Sequence, residues 1–238
     1  MNKPPRERYT RKPNNIHAVI CDFDDTLLAT RLLRINLLLK TLGDYGHVIL
    51  VDQLLLHWGK PFNELISSVA PRVNYDKFLL DYSKGMQRER PQILPGAETL
   101  LKFLDSINVP CFIVSSGSRF LVEQDLEAVH LLQYVTQIWG FEDTPYHKPD
   151  GRVLYPLLCA LKEKKVDAED VVYIGDGLAD LQVAAVNHLS FVAVLTGLHT
   201  KAEFERAGLG GEFIISSLSE LLCRTSWFRI AFAPSETP

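Results

Sequence analysis

His17–Thr30 reads HAVICDFDDTLLAT, an apolar run that leads directly into three carboxylates, Asp22, Asp24 and Asp25. The run is rich in residues that favour strands and predicts a buried β-strand that ends near Asp22. An ionised carboxylate removed from water without a partner costs several kcal/mol or loses its charge. The three residues therefore either form an exposed turn or hold a positive group.

Short β-branched runs alternate with amphipathic helical stretches after this segment. The runs VPCFIVSS (109–116), VVYIGD (171–176) and FVAVLTG (191–197) have the nearly continuous apolar character of strands that are buried on both faces. Helical patterns such as SRFLVEQDLEAVHLL and LADLQVAAVNH separate them. The alternation predicts an α/β fold, a doubly wound (Rossmann-like) parallel sheet with helices on both faces.

The stretch between the first strand and the helix at LPGAETLL has a different character. From Leu28 to Gln92 the pattern is helical throughout, interrupted by glycines and prolines that favour turns. We interpret residues 28–92 as an inserted α-helical cap domain, called the helical insert below. The core domain is then expected at 16–27 and 93–225, with a flexible basic tail at 1–15 and a C-terminal tail at 226–238.

Composition restricts the partners and the compartment. The chain has 238 residues, 47% of them hydrophobic, and a formal net charge of -4, which offers no broad basic surface for nucleic acid. The longest suspicious apolar stretch is broken by Arg31 and Arg34, and the N-terminal residues lack the apolar segment of a secretory signal. We therefore expect a cytoplasmic protein with no nucleic-acid or membrane partner.

The cysteine spacing bears on the compartment, and the aromatic C-terminal residues bear on the oligomeric state. The four cysteines are scattered through apolar segments, without the spacing of a zinc site or a disulfide framework, and read as buried thiols: Cys21, Cys111, Cys159 and Cys223. The aromatic end of the chain, with Trp227, Phe228 and Phe232, could dock on the core or form a dimer contact. A monomer and a homodimer both remain open.

Polar side chains follow the ends of three predicted strands, where the ligands of a doubly wound sheet collect. The first strand leads to Asp22, Asp24 and Thr26; the second leads to Ser115 and Ser116, followed by a glycine; the third leads to Asp176, with Asp180 one helical turn later. These ends should form one crevice that combines carboxylates with hydroxyl groups.

Such a crevice requires a cation. Asp22 and Asp24 are two residues apart and project from the same side of an extended chain, and two like charges 4 Å apart repel by about 4 kcal/mol at an effective dielectric of about 20. The available ligands are hard oxygens, which suit Mg2+ better than zinc. The hydroxyl-rich SSGS segment and Lys148 could bind a phosphate beside it.

Taken together, DFDDTLL, FIVSSGS, HKPD and VYIGDGLADLQVAA resemble the four motifs of the haloacid dehalogenase-like hydrolases, between about His17 and His188. The helical insert after the first motif, with LPGAETLLKFL and VLTGLHTKAEFERAG, resembles the phosphoglycolate phosphatase-like branch. The family often has glycine at the position of Asp25, where aspartate also tolerates a turn.

The resemblance implies a magnesium-dependent phosphatase and a role for each motif residue. Asp22 would be the nucleophile that forms an aspartyl-phosphate, and Asp24 the general acid and base. Asp22, the backbone carbonyl of Asp24 and Asp176 would bind Mg2+, with Asp180 supporting the metal. The substrate, a small phosphorylated metabolite, would contact Thr26, Ser115, Ser116 and Lys148, and Thr26 would also fix the turn and orient Asp24.

Other interpretations stay open. A response-regulator receiver domain also uses acids, a hydroxyl and a lysine on a parallel sheet, but the order of these residues and the helical insert disfavour it. A phosphosugar mutase keeps the same core residues, and a non-catalytic descendant could bind phosphate or protein. In the insert, His57, Lys60 or Asn63 could set specificity, while Arg31 and Arg34 are either solvent-exposed or reach a second anionic group.

Overall fold

A computed structural model describes residues 15–58, 60, 62–86, 88 and 90–224. Its strands are β1 (Ala18–Cys21), β2 (Leu28–Ala29), β3 (Gln92–Ile93), β4 (Cys111–Val114), β5 (Gln137–Trp139), β6 (Val171–Gly175), β7 (Ser190–Val194) and β8 (Ile214–Ile215). Six of them form one sheet in the order β5-β4-β1-β6-β7-β8, and every pair in it is parallel.

Helices cover both faces of this sheet. The helices of the core are α5 (Ala97–Ser106), α6 (Arg119–Ala128), α7 (Tyr155–Glu163), α8 (Leu178–Val186), α9 (Lys201–Arg206) and α10 (Leu218–Arg224). Because side chains alternate along a strand, Val19 and Cys21 of β1 pack towards α5, α6 and α10, while Ala18 and Ile20 pack towards α7, α8 and α9. The predicted doubly wound α/β fold is confirmed.

The register of the sheet brings the candidate site together. Cys21 at the end of β1 lies opposite Ile113 of β4 and Ile174 of β6. The backbone N–H of Asp22 still donates to the carbonyl of Ile174, at 2.9 Å. The residues that follow β1, β4 and β6 therefore leave the sheet side by side at its carboxyl edge.

The helical insert has its own small core. It contains α1 (Arg31–Asp44), α2 (Val51–Leu55), α3 (Phe62–Val69) and α4 (Tyr75–Met86), which pack around buried Leu38, Leu42 and Phe78. The predicted limits of the insert, 28 and 92, fall on β2 and β3, which pair antiparallel. Trp58 and Phe62 pack against this apolar cluster.

Some sequence-based expectations concern parts of the chain outside the described residues. These are the basic N-terminal tail, the side chain of Cys223 and the aromatic residues Trp227, Phe228 and Phe232. Cys21 and Cys111 are buried, as expected, whereas Cys159 is exposed. Among the described residues, we find no helix with the length and apolar character needed to cross a membrane.

Candidate active site

Asp22 and Lys148 form the centre of the site. The Lys148 ammonium lies 2.6 Å from Asp22 Oδ1 and 2.6 Å from Asp180 Oδ1, so that it bridges the first motif and helix α8. These side chains are 9% (Asp22), 5% (Lys148) and 4% (Asp180) exposed. The phenol of Tyr173 also donates to Asp180 Oδ1, at 3.0 Å. The lysine, which the sequence places only in a loop, is thus a buried counter-ion of the predicted nucleophile.

Three carboxylates share this centre with a single ammonium group. Oxygen atoms of Asp22, Asp176 and Asp180 all lie within 4.8 Å of one another. Burial raises the pKa of Asp22 to about 7, with Lys148 opposing the shift and Asp180 adding to it. Burial, together with the charges of Asp22 and Asp180, raises the pKa of Asp176 to about 9. Repulsion is therefore only partly compensated by Lys148.

The donor set of this centre fits Mg2+. Magnesium prefers carboxylate oxygens, which Asp22, Asp176 and Asp180 supply. A divalent cation would remove the repulsion that, together with burial, raises the pKa values of Asp22 and Asp176. The backbone of Gly197 approaches Asp176 so closely that an added Cβ would overlap its carboxylate. The position of Asp176 is thus fixed by the fold.

The turn after β1 explains the aspartate at position 25. Asp25 adopts a left-handed conformation with φ of 57°, which glycine, asparagine and aspartate accept more readily than other residues. Its carboxylate accepts the backbone N–H of Arg31 at 3.2 Å and pairs with the Arg31 guanidinium at 3.1 Å. Asp25 therefore joins the turn to the first turn of α1.

The orientation of Asp24 differs from the sequence-based expectation. Thr26 is fully buried and donates to Asp22 Oδ2 at 3.1 Å, with Asp176 Oδ1 3.4 Å away. The expectation that Thr26 orients Asp24 is wrong, because its hydroxyl lies on the Asp22 side of the turn. The hydroxyl of Thr30 donates to Asp24 Oδ1 instead.

Asp24 also contacts residues of the core and of the insert. The Ser115 hydroxyl lies 3.5 Å from Asp24 Oδ2 and accepts the backbone N–H of Gly117 at 2.9 Å. The guanidinium of Arg34, in α1, forms an ion pair with Asp24 Oδ1. Ser116 is exposed and lines, with Ser115, His147 and Lys148, a recess beside the strand ends.

Arg34 and Asp125 lie close to the site. The sequence left the role of Arg34 open and did not identify Asp125. Arg34 is only 9% exposed, and its second nitrogen pairs with Asp125 of α6 at 3.1 Å. Asp125 is an acid on the buried face of its helix, between Val122 and Leu126, and this position was the available signal. By contrast, His57, Lys60 and Asn63 of the insert are partly or fully exposed, and His57 Nδ1 lies 3.0 Å from Lys60 Nζ.

Comparison with known proteins agrees with this geometry. Residues 19–194 match the profile of the haloacid dehalogenase-like hydrolase family. The chain belongs to this family. "Putative pyrophosphatase PpaX" of Caldanaerobacter subterraneus subsp. tengcongensis is 26% identical over 186 residues, which cover 75% of this chain and 81% of that protein. The phosphoglycolate phosphatase of Neisseria gonorrhoeae is 26% identical over 125 residues, 52% of this chain and 50% of that enzyme.

The fold of the haloacid dehalogenase-like hydrolases is also seen among solved structures. CbbY from Rhodobacter sphaeroides in complex with phosphate has a TM-score of 0.72 and 21% identity, over 87% of this chain and 96% of that one. The predicted membership of the phosphoglycolate phosphatase-like branch and the predicted class of enzyme, a phosphatase, are confirmed by the family and by these named relatives.

Proposed function

We propose that this hydrolase is a magnesium-dependent phosphatase that cleaves a small phosphorylated metabolite through an aspartyl-phosphate on Asp22. The observation that carries the proposal is the shared centre of Asp22, Asp176, Asp180 and Lys148 at the carboxyl edge of the sheet. It combines a buried carboxylate nucleophile, a fixed positive charge and further hard oxygen ligands. These are the groups that phosphoryl transfer requires.

Asp22 is suited to attack phosphorus. Its carboxylate is held from both sides, by Lys148 at one oxygen and by Thr26 at the other, so little rotational freedom remains to be lost on reaction. In the first step an Asp22 oxygen forms a bond to phosphorus and the ester P–O bond breaks. In the second step water attacks the same phosphorus, which releases inorganic phosphate and restores the Asp22 carboxylate.

Asp24 is the candidate for the proton transfers. It follows Asp22 by two residues, and its carboxylate lies within reach of Ser115 in the hydroxyl-rich loop that should bind the phosphoryl oxygens. As an acid it would protonate the departing oxygen, and as a base it would take the proton of the attacking water. Its side-chain partners, Thr30 and Arg34, are separate from the Asp22 centre.

Asp22, Asp176 and the backbone carbonyl of Asp24 would hold the magnesium ion, with Asp180 in support. When bound, Mg2+ would neutralise the carboxylates and draw charge from the phosphoryl oxygens. Lys148 would keep Asp22 and Asp180 in place. The clustering of three carboxylates around one ammonium, with a raised pKa at Asp176, supports this assignment.

The burial of the site favours a small substrate. Asp22 is buried, and the insert approaches the strand ends so closely that Arg34 contacts Asp24. A polymeric substrate would have to displace the insert to bring its phosphate to Asp22. The names of two relatives, a phosphoglycolate phosphatase and a putative pyrophosphatase, also favour a small substrate.

The first prediction concerns the nucleophile. In Asp22→Asn we expect phosphate release from p-nitrophenyl phosphate and from a panel of phosphorylated metabolites to fall at least about a thousand-fold, because the amide cannot attack phosphorus. The assay compares the wild type, with Mg2+ and with a chelator, to the variant. Asp105→Asn, at an exposed site, serves as the matched control and should retain full activity.

Each contrary result has a defined meaning. An active, folded Asp22→Asn variant would refute the assignment of the nucleophile. Release that continues in chelator would refute the magnesium dependence. If the wild type moves phosphate between hydroxyls of a sugar without releasing it, the enzyme is a phosphosugar mutase on this scaffold rather than a phosphatase.

A further inference from the structure

We propose that Arg34 is a positioning residue for Asp24, which makes the alignment of the acid–base group depend on the docking of the helical insert onto the core. The inference rests on the proposed function and deepens it. Arg34 belongs to α1 of the insert, whereas its two carboxylate partners, Asp24 and Asp125, belong to the core. The Arg34 side chain thus connects the insert both to Asp24 and to α6 of the core.

The contacts of Arg34 are buried and directional. Its Nη1 pairs with Asp24 Oδ1 and its Nη2 with Asp125 Oδ2 at 3.1 Å. A planar guanidinium that uses two nitrogens on two carboxylates fixes both partners in direction as well as in distance. The residue is only 9% exposed, although an arginine on a surface helix ordinarily keeps its charged group in water.

Asp125 explains how the arginine can be held at this place. It lies on the buried face of α6, is 4% exposed and has the Arg34 guanidinium as its ion-pair partner. Burial raises the pKa of Asp125, and the charge of Arg34 opposes that shift. Without Arg34, Asp125 and Asp24 would be two neighbouring acids that repel each other, and among the described residues Arg34 is the cation that pairs with both. We infer that Asp125 anchors the arginine.

Asp24 makes its stronger side-chain contacts with residues of the insert and only a weak one with the core. Both partners of its Oδ1, the Thr30 hydroxyl and the Arg34 guanidinium, lie at the start of the insert. Its Oδ2 faces Ser115, which is 3.5 Å away and offers only a weak contact. If α1 moved away from the core, Asp24 would lose the groups that hold it.

The Arg34 guanidinium also lies beside the loop of residues 115–117, where we expect the phosphoryl oxygens to bind. A Cβ added to Gly117 would lie 3.3 Å from Arg34 Nη1, 3.3 Å from Ser115 Oγ and 3.7 Å from Asp24 Oδ2. Arg34 therefore fixes Asp24 beside the loop in which the substrate's phosphoryl group and leaving oxygen are expected. A displacement of about 1 Å at such a place is enough to cost a large factor in rate.

The consequence for the reaction depends on the leaving group. Release of an alkoxide requires a proton from correctly placed Asp24, whereas p-nitrophenolate leaves as a stable anion. Hydrolysis of the aspartyl-phosphate requires Asp24 again, as the base for water. Loss of Arg34 should thus slow the first step for an alkyl phosphate, and the second step for every substrate.

The experiment compares pre-steady-state kinetics of the wild type, Arg34→Met and Arg34→Lys with p-nitrophenyl phosphate and with glycerol phosphate. In Arg34→Met we expect turnover of glycerol phosphate to fall about 100-fold. With p-nitrophenyl phosphate we expect a burst of about one equivalent at a rate within about 3-fold of the wild type, followed by slow turnover, since the phosphorylated enzyme accumulates.

Arg34→Lys keeps the charge, but a single ammonium lacks the planar fork that reaches both acids, and an intermediate loss is expected. It also serves as the test variant if Arg34→Met does not fold. Asp125→Asn should reproduce the kinetic pattern of Arg34→Met more weakly. Arg206→Met, at an exposed position of α9, is the matched control and should behave like the wild type.

The proposal would be overturned if turnover fell equally for both substrates and the burst became smaller in amplitude with an unchanged rate. That result would mean that fewer molecules are folded and that Asp24 is not affected. Unchanged kinetics in both Arg34 variants would also overturn it. A wild type that never forms a phosphorylated enzyme would instead refute the proposed function, which separates the two failures.

Discussion

The two halves of the candidate site obtain their positive charge in different ways. Around Asp22, all the groups come from the core: Lys148 pairs with Asp22 and Asp180, and burial together with the charges of Asp22 and Asp180 raises the pKa of Asp176. Around Asp24, the cation is Arg34 of the insert. We therefore propose that the first half needs a further cation from solution, whereas the second half needs the insert to be docked.

The largest expected effect tests the Asp22 half, in which three carboxylates face one ammonium group. Asp176→Asn removes one proposed magnesium ligand, and we expect activity to fall at least about 100-fold and the rise of Tm on addition of Mg2+ to disappear. The metal-free variant should be more stable than the metal-free wild type by about 1–3 kcal/mol, because an ionised Asp176 is disfavoured in the fold.

The measurement is thermal unfolding of both proteins at about pH 8, with Mg2+ and with chelator, beside phosphate release; Asp105→Asn again provides the control. A variant that keeps the full magnesium response would mean that the shared carboxylates do not form the metal site. The contrast between the two halves would then disappear.

Lys148 offers the second test, because it is the only internal cation of the Asp22 half within the described residues. Lys148→Met should lower the free energy of unfolding of the metal-free protein by about 3 kcal/mol, since two buried carboxylates lose their partner. The chain provides a matched pair in Lys102, which lies 2.7 Å from Glu98 but is exposed. For Lys102→Met the expected loss is much smaller than for Lys148→Met, because solvent screens an exposed pair.

Urea unfolding in chelator measures both values. Equal losses in the two variants would show that burial of the Lys148 pair has no energetic consequence. A loss in Lys148→Met that Mg2+ fully restores would indicate that the metal can take the place of the ammonium as the counter-ion of Asp22.

The smallest effect concerns pH. Asp22 and Asp176 have pKa values of about 7 and about 9 in the metal-free fold, both above the ordinary value of 3.8. The folded state therefore binds protons more tightly than the unfolded chain, and the contribution of these groups to stability falls as pH rises from about 4 to about 9. Mg2+ competes with those protons, so its stabilising effect should grow over the same range.

Between about pH 6 and pH 8.5 we expect the magnesium-induced stabilisation to increase by about 1–2 kcal/mol, or about 2–8 °C in Tm. Melting curves with Mg2+ and with chelator at several pH values test this. A magnesium effect that is independent of pH would show that the ligands are already ionised without the metal. In Asp176→Asn the pH dependence should largely vanish.

The convergence of the core residues could be predicted from the sequence because these residues are adjacent to strands. Asp22 and Asp176 directly follow apolar runs, and parallel strands bring such positions together at one edge. The apolar alternation that predicts the strands also predicts the fold class. Lys148 was a candidate cation for the phosphate, but nothing in a loop sequence indicates how closely its ammonium approaches Asp22.

The other half could not be predicted in the same way, because it depends on how two segments pack. Arg34 has the sequence context of a solvent-exposed helical arginine. Its burial follows from the position of α1 against α6, because its partner Asp125 lies on α6, 91 residues later in the chain. Thr30, and not Thr26, donates to Asp24, and the sequence could not predict this for a similar reason. Both hydroxyls are near Asp24 in sequence, and only the path of the turn decides which carboxylate each one meets.

The most direct test of the central claim is to look for the covalent intermediate on Asp22. Enzyme mixed with Mg2+ and p-nitrophenyl phosphate is quenched in acid during turnover, digested, and analysed by mass spectrometry. The account predicts one added phosphoryl group on the peptide that contains Asp22, and none in Asp22→Asn. A phosphoryl group on another residue, or continued turnover with no phosphorylated peptide, would contradict it.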